Sequence, residues 1–293
     1  MTLAEVIVLI LKVSISVLLF TVGLGTAPRE LTLLVRHPGQ LVRSLVSMNL
    51  VMLALAVAIA LLFPLKPSVK VVLIALALSP VPPALPKKLL KAGGGHDYVM
   101  ALIFSASVFA IVWVPFAGEV LDRIFPAEVT IPPAAVAKLV AMTVLGPTLA
   151  GVVLRLLAPS LAGRIAEPLG KVATVLMLAG LILIIAKTAP VILAQLGDGT
   201  LLAIIAFLVL GLVTGHLLGG PTPGDRSVLA LATASRHPGV AIAIAQLIFP
   251  GDKSFPATVL LYMLTGAIVT LPYVNWRKKA LTPDSPLGGA PAR

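Results

Sequence analysis

Apolar stretches of about twenty residues, separated by short polar connections, run through this chain from end to end. They do not alternate polar with apolar positions, so they read as helices, and ~20 apolar residues match the ~30 Å hydrocarbon core of a bilayer. The pattern predicts nine spans, at roughly 5–26, 40–63, 69–91, 97–121, 133–157, 167–188, 199–219, 227–249 and 255–276. The expected fold class is an all-α polytopic membrane protein. Two spans are interrupted. The third contains Ser79-Pro80-Val81-Pro82-Pro83-Ala84-Leu85-Pro86, and the eighth contains Ser235-Arg236-His237-Pro238-Gly239. Proline removes a backbone donor and clashes with the preceding turn. The carbonyls freed this way find no partner in lipid, so such breaks survive only where protein or a water-lined cavity surrounds them.

The two breaks are in register. A shift of 156 residues places Ser79 on Ser235, Pro82 on Pro238, Gly95 on Gly251 and Ala101 on Ala257. Spans two to four thus resemble spans seven to nine: an unbroken helix, a broken one, a glycine turn, then an unbroken one. Span three and span eight run in opposite directions, which predicts an inverted repeat of five plus five helices with the first missing. The domain expectation is one transmembrane domain over 1–279, with repeats of about 1–124 and 133–276. A cytoplasmic tail over 280–293, rich in Pro and Gly, reads as disordered.

Composition narrows the class. The chain is 59 % hydrophobic and 11 % charged, against about 25 % charged in soluble domains. It has no cysteine, which excludes disulfides and thiolate chemistry. The first span lacks a basic leader region and a small-residue cleavage site, so it reads as a retained span. The net charge of +11 suggests nucleic acid until the charges are placed. One set of alternate loops and ends holds 14 of the 22 Lys and Arg, including Arg29, Arg36, Lys91 and Arg277-Lys278-Lys279. The other set holds 5: Lys66, Lys70, Arg123, Lys187 and Lys253. Positive residues mark the cytoplasmic face, which places the N-terminus outside and the C-terminus in the cytoplasm. Trp113 and Trp276 fall at span ends, as interfacial anchors do.

The candidate substrate-binding residues are Ser79, Pro82, Pro83, Lys87, Asn49, Ser235, Arg236, His237, Pro238 and Gly239. A central Arg costs roughly 2.5–3.5 kcal/mol on insertion scales, so Arg236 must face a cavity or a partner. Two readings stand: a fork for an anionic group, or a cap on carbonyls freed by the breaks. His237 reads as a neutral hydrogen-bonding group at the break, with proton relay as the other reading. Lys87 and Lys88 follow the first break, where they either snorkel or attract anions. Asn49 and Gln246 read first as interhelical hydrogen-bonding groups. All eleven acids fall in or near loops and ends, so no carboxylate is expected at mid-membrane. No zinc, nucleotide or catalytic motif is present, which points away from an enzyme.

In order and spacing the pattern resembles the bile acid:sodium symporter family. The resemblance is carried by Gly23-Leu24-Gly25-Thr26, Arg36-His37-Pro38, the broken span three with its Ala92-Gly93-Gly94 turn, and the broken span eight followed by Phe249-Pro250. It implies panel and core domains, two crossing discontinuous helices in the core, and sodium-coupled uptake of organic anions. The departures fall at the site. Pro80-Val81-Pro82 replaces the family's Pro-Gly-Gly, and Leu85-Pro86 stands where a Ser-Asn pair helps bind sodium. Arg236-His237-Pro238 replaces Glu-Thr-Gly, and Val240-Ala241 replaces Gln-Asn. The sodium-ligand side chains are therefore missing, no other cofactor or metal is expected, and sodium remains only as an implication of the family.

The expected function is secondary transport of a small organic anion by alternating access at the crossing near 79–88 and 235–239. A non-transporting membrane sensor or scaffold, and an anion channel, are the alternatives. The expected surroundings are a cell membrane, with no nucleic acid, and a monomer or homodimer. Substrate identity, direction and coupling ion are left open.

Overall fold

Proline opens most of the helices. It is tolerated in a first helical turn, where its missing N–H would be unpaired anyway. The computed structural model describes residues 3–125 and 133–280. Its elements are α1 (Leu3–Gly25), α2 (Pro28–Arg36), α3 (Pro38–Leu62), α4 (Pro67–Leu78), α5 (Pro86–Lys91), α6 (His96–Ile124), α7 (Ala134–Leu157), α8 (Pro159–Leu193), α9 (Thr200–Leu218), α10 (Pro223–Ala234), α11 (Pro238–Ile248) and α12 (Ser254–Ala280). No strand occurs among the described residues. Single π-helical turns interrupt α3 at Val46–Val51 and α7 at Ala141–Leu145.

Among the described residues, eight helical segments are long and apolar enough to cross a membrane, with α10 and α11 counted as one. The expected span at 69–91 is not a continuous helix. α4 has 12 residues and α5 has 6, with the proline cluster between them. Twelve residues rise only about 18 Å. The connection expected after the first span instead contains the short helix α2. Its Glu30, expected in a loop, is buried and accepts the Ala27 N–H at 2.7 Å. Of the tail expected from residue 280, Ala280 closes α12 and the rest lies outside the described residues.

The broken helices form the interior. α4 is buried continuously from Val71 to Leu78, and α10 from Ser227 to Ala234. The α10–α11 segment is mostly buried, whereas α8 is mostly exposed. α8 instead exposes Val172, Val175, Leu176, Ile182 and Leu183, an apolar face suited to lipid rather than water. α1 packs between α7 and α8, and α12 packs against α4, α8, α9 and α11. One apolar cluster includes Leu76, Ala77, Leu78, Val240 and Ala241, and a second includes Val81, Leu85 and Ala234. They meet at the breaks, where α4 packs against α11.

The glycine register needs correction. Sequence shift paired Gly95 with Gly251, but Gly95 is extended (φ −71°) and caps α6. Of the glycines that follow the two breaks, the left-handed ones are Gly93 (φ 87°) and Gly251 (φ 83°). The helices after the two breaks differ in length, six residues in α5 against 11 in α11, so the alignment drifts beyond the prolines.

Candidate functional site

Helix ends leave their last carbonyls without intrahelical donors. Here the Leu76, Ala77 and Ala234 carbonyls are met from the other broken helix or from α12. α4 stops at Leu78 and α10 at Ala234, and Ser79 and Ser235 follow in extended conformation. The His237 N–H reaches across the gap to the Pro80 carbonyl at 2.9 Å and the Ser79 Oγ at 3.0 Å. Ser79 Oγ donates in turn to the Leu76 carbonyl at 2.8 Å. Tyr262 of α12 donates to the Ala234 carbonyl at 2.6 Å and accepts the Arg236 N–H at 3.0 Å.

Arg236 completes the closure. Its Nε donates to the Leu76 carbonyl at 2.9 Å, and its Nη2 donates to the Ala77 carbonyl. The side chain is 2 % exposed. Two of its three nitrogens therefore cap freed carbonyls. The third, Nη1, is buried without a hydrogen-bond partner among the described residues, and so is His237 Nε2. His237 Nδ1 accepts the Val240 N–H at 3.3 Å, capping α11. An accepting Nδ1 in a neutral ring leaves the proton on Nε2. Both unpartnered nitrogens are thus N–H donors.

Arg236 and His237 line a cavity of about 260 Å³ with Pro82, Pro83, Ser235, Pro238, Lys88, Tyr262 and Thr270. Its apolar wall comes from Ile15, Met177, Leu208 and Met263. Among the described residues no Asp or Glu lines it. Lys88 Nζ donates to Thr270 Oγ1. An ammonium has three donors, and this is the bond it makes among the described residues.

Of the ten residues expected from sequence, Pro82, Pro83, Ser235, Arg236, His237 and Pro238 share this cavity. Ser79 lies directly behind it as a hydrogen-bond bridge, fully buried. Gly239 sits in the first turn of α11, close beside the His237 ring. Asn49 lies elsewhere: its side-chain amide donates to the Leu45 carbonyl of its own helix at 3.2 Å. Lys87 points into a neighbouring cavity of about 470 Å³ with Glu167, Gly170 and Lys171. Successive helical residues diverge by about 100°, so α5 aims Lys88, not Lys87, at the crossing. Gln246 binds the turn after α11 through Gly251 and Asp252 rather than another helix.

Tyr262 and Thr270 escaped the sequence reading. The available signal was a run of hydroxyl residues inside an apolar helix, where each needs a partner. The fold also gathers Glu30, His96 and Asp97 at spacings the sequence did not suggest. Arg29 pairs with Asp97 at 2.9 Å and Glu30 binds Ala27 and His96, which accounts for the group as capping and ion pairing.

A family model described as the Sodium Bile acid symporter family matches residues 12–195. No curated protein matches the chain.

Proposed function

The chain belongs to the sodium bile acid symporter family, whose members are transporters and not enzymes, and from that premise we propose that it carries a small organic anion. The observation that carries the reading is the pair of buried N–H donors without acceptors among the described residues, Arg236 Nη1 and His237 Nε2, beside a cavity with apolar walls. A buried donor left unpaired costs ~1–3 kcal/mol, which an anionic acceptor would recover. Lys88 adds a second positive charge. The volume of about 260 Å³ is below the roughly 300–1,000 Å³ usual for drug-sized ligands, favouring a small anion with a short apolar body.

In this reading Ser79, Pro82, Pro83, Ser235, Arg236, His237, Pro238 and Gly239 form the substrate site, with Lys88 taking the place expected of Lys87. The half-helices α4–α5 and α10–α11 are two crossings of opposite sense in an inverted repeat of nine membrane helices. That arrangement supports alternating access, because each half can rock against the other around a fixed site. The donor-rich cavity supports a carrier over a sensor, scaffold or channel. A cell membrane location, the N-terminus outside and a monomer or homodimer complete the proposal.

Purified protein in liposomes should show saturable uptake of small carboxylates that speeds up when substrate is preloaded on the far side. Lys88→Met should raise the half-saturation concentration about tenfold, the loss of one charge-assisted contact of ~1.5 kcal/mol. Flux without saturation or trans-stimulation would mark a channel, and binding without flux a sensor.

The orientation has its own test. Leu3→Cys and Ser285→Cys variants of this cysteine-free chain are treated with an impermeant thiol reagent in intact cells. Label is expected on the first and absent from the second. The reverse pattern would refute the placement.

A further inference from the structure

Sodium, which the family's description implies, does not fit the crossing. In transporters with interrupted helices, unwound carbonyls and the C-terminal ends of half-helices coordinate the coupling cation. Here four of those oxygens, on Leu76, Ala77, Pro80 and Ala234, already have donors. The Leu76 carbonyl takes Arg236 Nε, the Ser79 hydroxyl and the Ser79 N–H. The Ala77 carbonyl takes Arg236 Nη2, the Pro80 carbonyl takes the His237 N–H, and the Ala234 carbonyl takes the Tyr262 hydroxyl. Among the described residues no carboxylate or side-chain amide lines the adjacent cavity to complete an oxygen cage.

We infer that the Arg236 guanidinium is a built-in cation, tethered by its own chain at the C-terminal end of α4 in place of a dissociable ion. The geometry supports this at three points. The negative end of a helix dipole attracts positive charge, and Leu76 and Ala77 lie in the last turn of α4. The guanidinium stays protonated at physiological pH, so its charge is permanent. The side chain comes from the opposite broken helix, so one group joins both halves of the crossing, as a shared ion would. A second cation beside it would be repelled in a setting with little water to screen it. An anion carried by such a site has its countercharge within the protein and needs no sodium for that purpose.

This inference concerns the crossing and not what passes through it, so it can be tested without a known substrate and fails independently of the transport reading. Thermal unfolding of the purified protein is compared in sodium chloride and in choline chloride at equal ionic strength. The parent should unfold at the same temperature in both. Arg236→Ala, which takes the donor from the Ala77 carbonyl and one of three from the Leu76 carbonyl, should unfold at least about 3 °C higher in sodium than in choline, and methylguanidinium should stabilise it similarly. Arg236→Lys, which retains a cation, should be as indifferent to sodium as the parent. Sodium stabilisation of the parent overturns the inference. So does an Arg236→Ala variant that folds but responds to neither cation, or that aggregates in both salts.

Discussion

Arg236→Leu is expected to lower stability by about 2–4 kcal/mol, measured as a shift of the unfolding transition in detergent. Two effects oppose each other. Removing a buried charge returns its desolvation penalty, and substitution of buried ionic groups by apolar ones can be neutral when every partner leaves too. Here the partners are backbone carbonyls and remain. Leu76 keeps two other donors, from Ser79, but among the described residues the donor on the Ala77 carbonyl is Arg236 Nη2. An orphaned buried carbonyl costs ~1–3 kcal/mol, and the lost bonds came from a charged donor. Arg236 is also among the largest fully buried side chains, so a shorter residue leaves a void as well. An unchanged transition would mean that water enters the crossing and replaces the guanidinium.

Gly151→Val is expected to be worse still, with loss of folded protein on solubilisation rather than a shifted transition. A Cβ at Gly151 would lie 2.1 Å from the Phe20 carbonyl oxygen and 2.9 Å from the Leu24 amide nitrogen. The reciprocal position repeats this, since a Cβ at Gly23 would lie 2.0 Å from the Thr148 carbonyl oxygen. These are backbone atoms and cannot rotate aside. α1 and α7 touch backbone to backbone, the close approach that small residues permit in membranes, where lipid supplies no hydrophobic drive for helix pairing. Overpacking a yielding core costs ~1–3 kcal/mol, and here the only escape is separation of the helices. Normal recovery of monodisperse Gly151→Val would show that α1 moves freely against α7. Gly39→Ala, with nothing within 4 Å of its new Cβ, is the matched control.

Proline chemistry made the crossing legible in advance. A proline cluster in an apolar run dictates freed carbonyls, and two such clusters at matched spacing predict that they serve each other. The link from the His237 N–H to the Pro80 carbonyl is the structural form of that argument. Hydropathy likewise fixed the all-helical class, because length and lack of alternation are local properties.

Other features depend on rotation and distance, which no local pattern encodes. The choice between Lys87 and Lys88 depends on where α5 begins, and the break sets that start. Gly23 stood out only as part of a family motif, and its packing reason appears only once Gly151 lies opposite. Glu30 read as a loop acid because its burial depends on α2 folding against α6. Among the described residues the membrane-length helices number eight against nine apolar runs, because hydropathy counts apolar residues and does not register the gap that leaves α4 short.

Arg236 shows the division most plainly. Sequence alone determined that a permanently charged group sits in an apolar span beside a helix break, and that it must therefore be paired. It left open whether the partner is a ligand or the backbone. Tertiary structure decided the division of the fork: Nε and Nη2 on the carbonyls of α4, Nη1 without a partner. The physical reason is that burial cost is set by residue type and surroundings, which the sequence carries. Hydrogen-bond direction is set by where two segments about 160 residues apart cross, and only the folded chain fixes that.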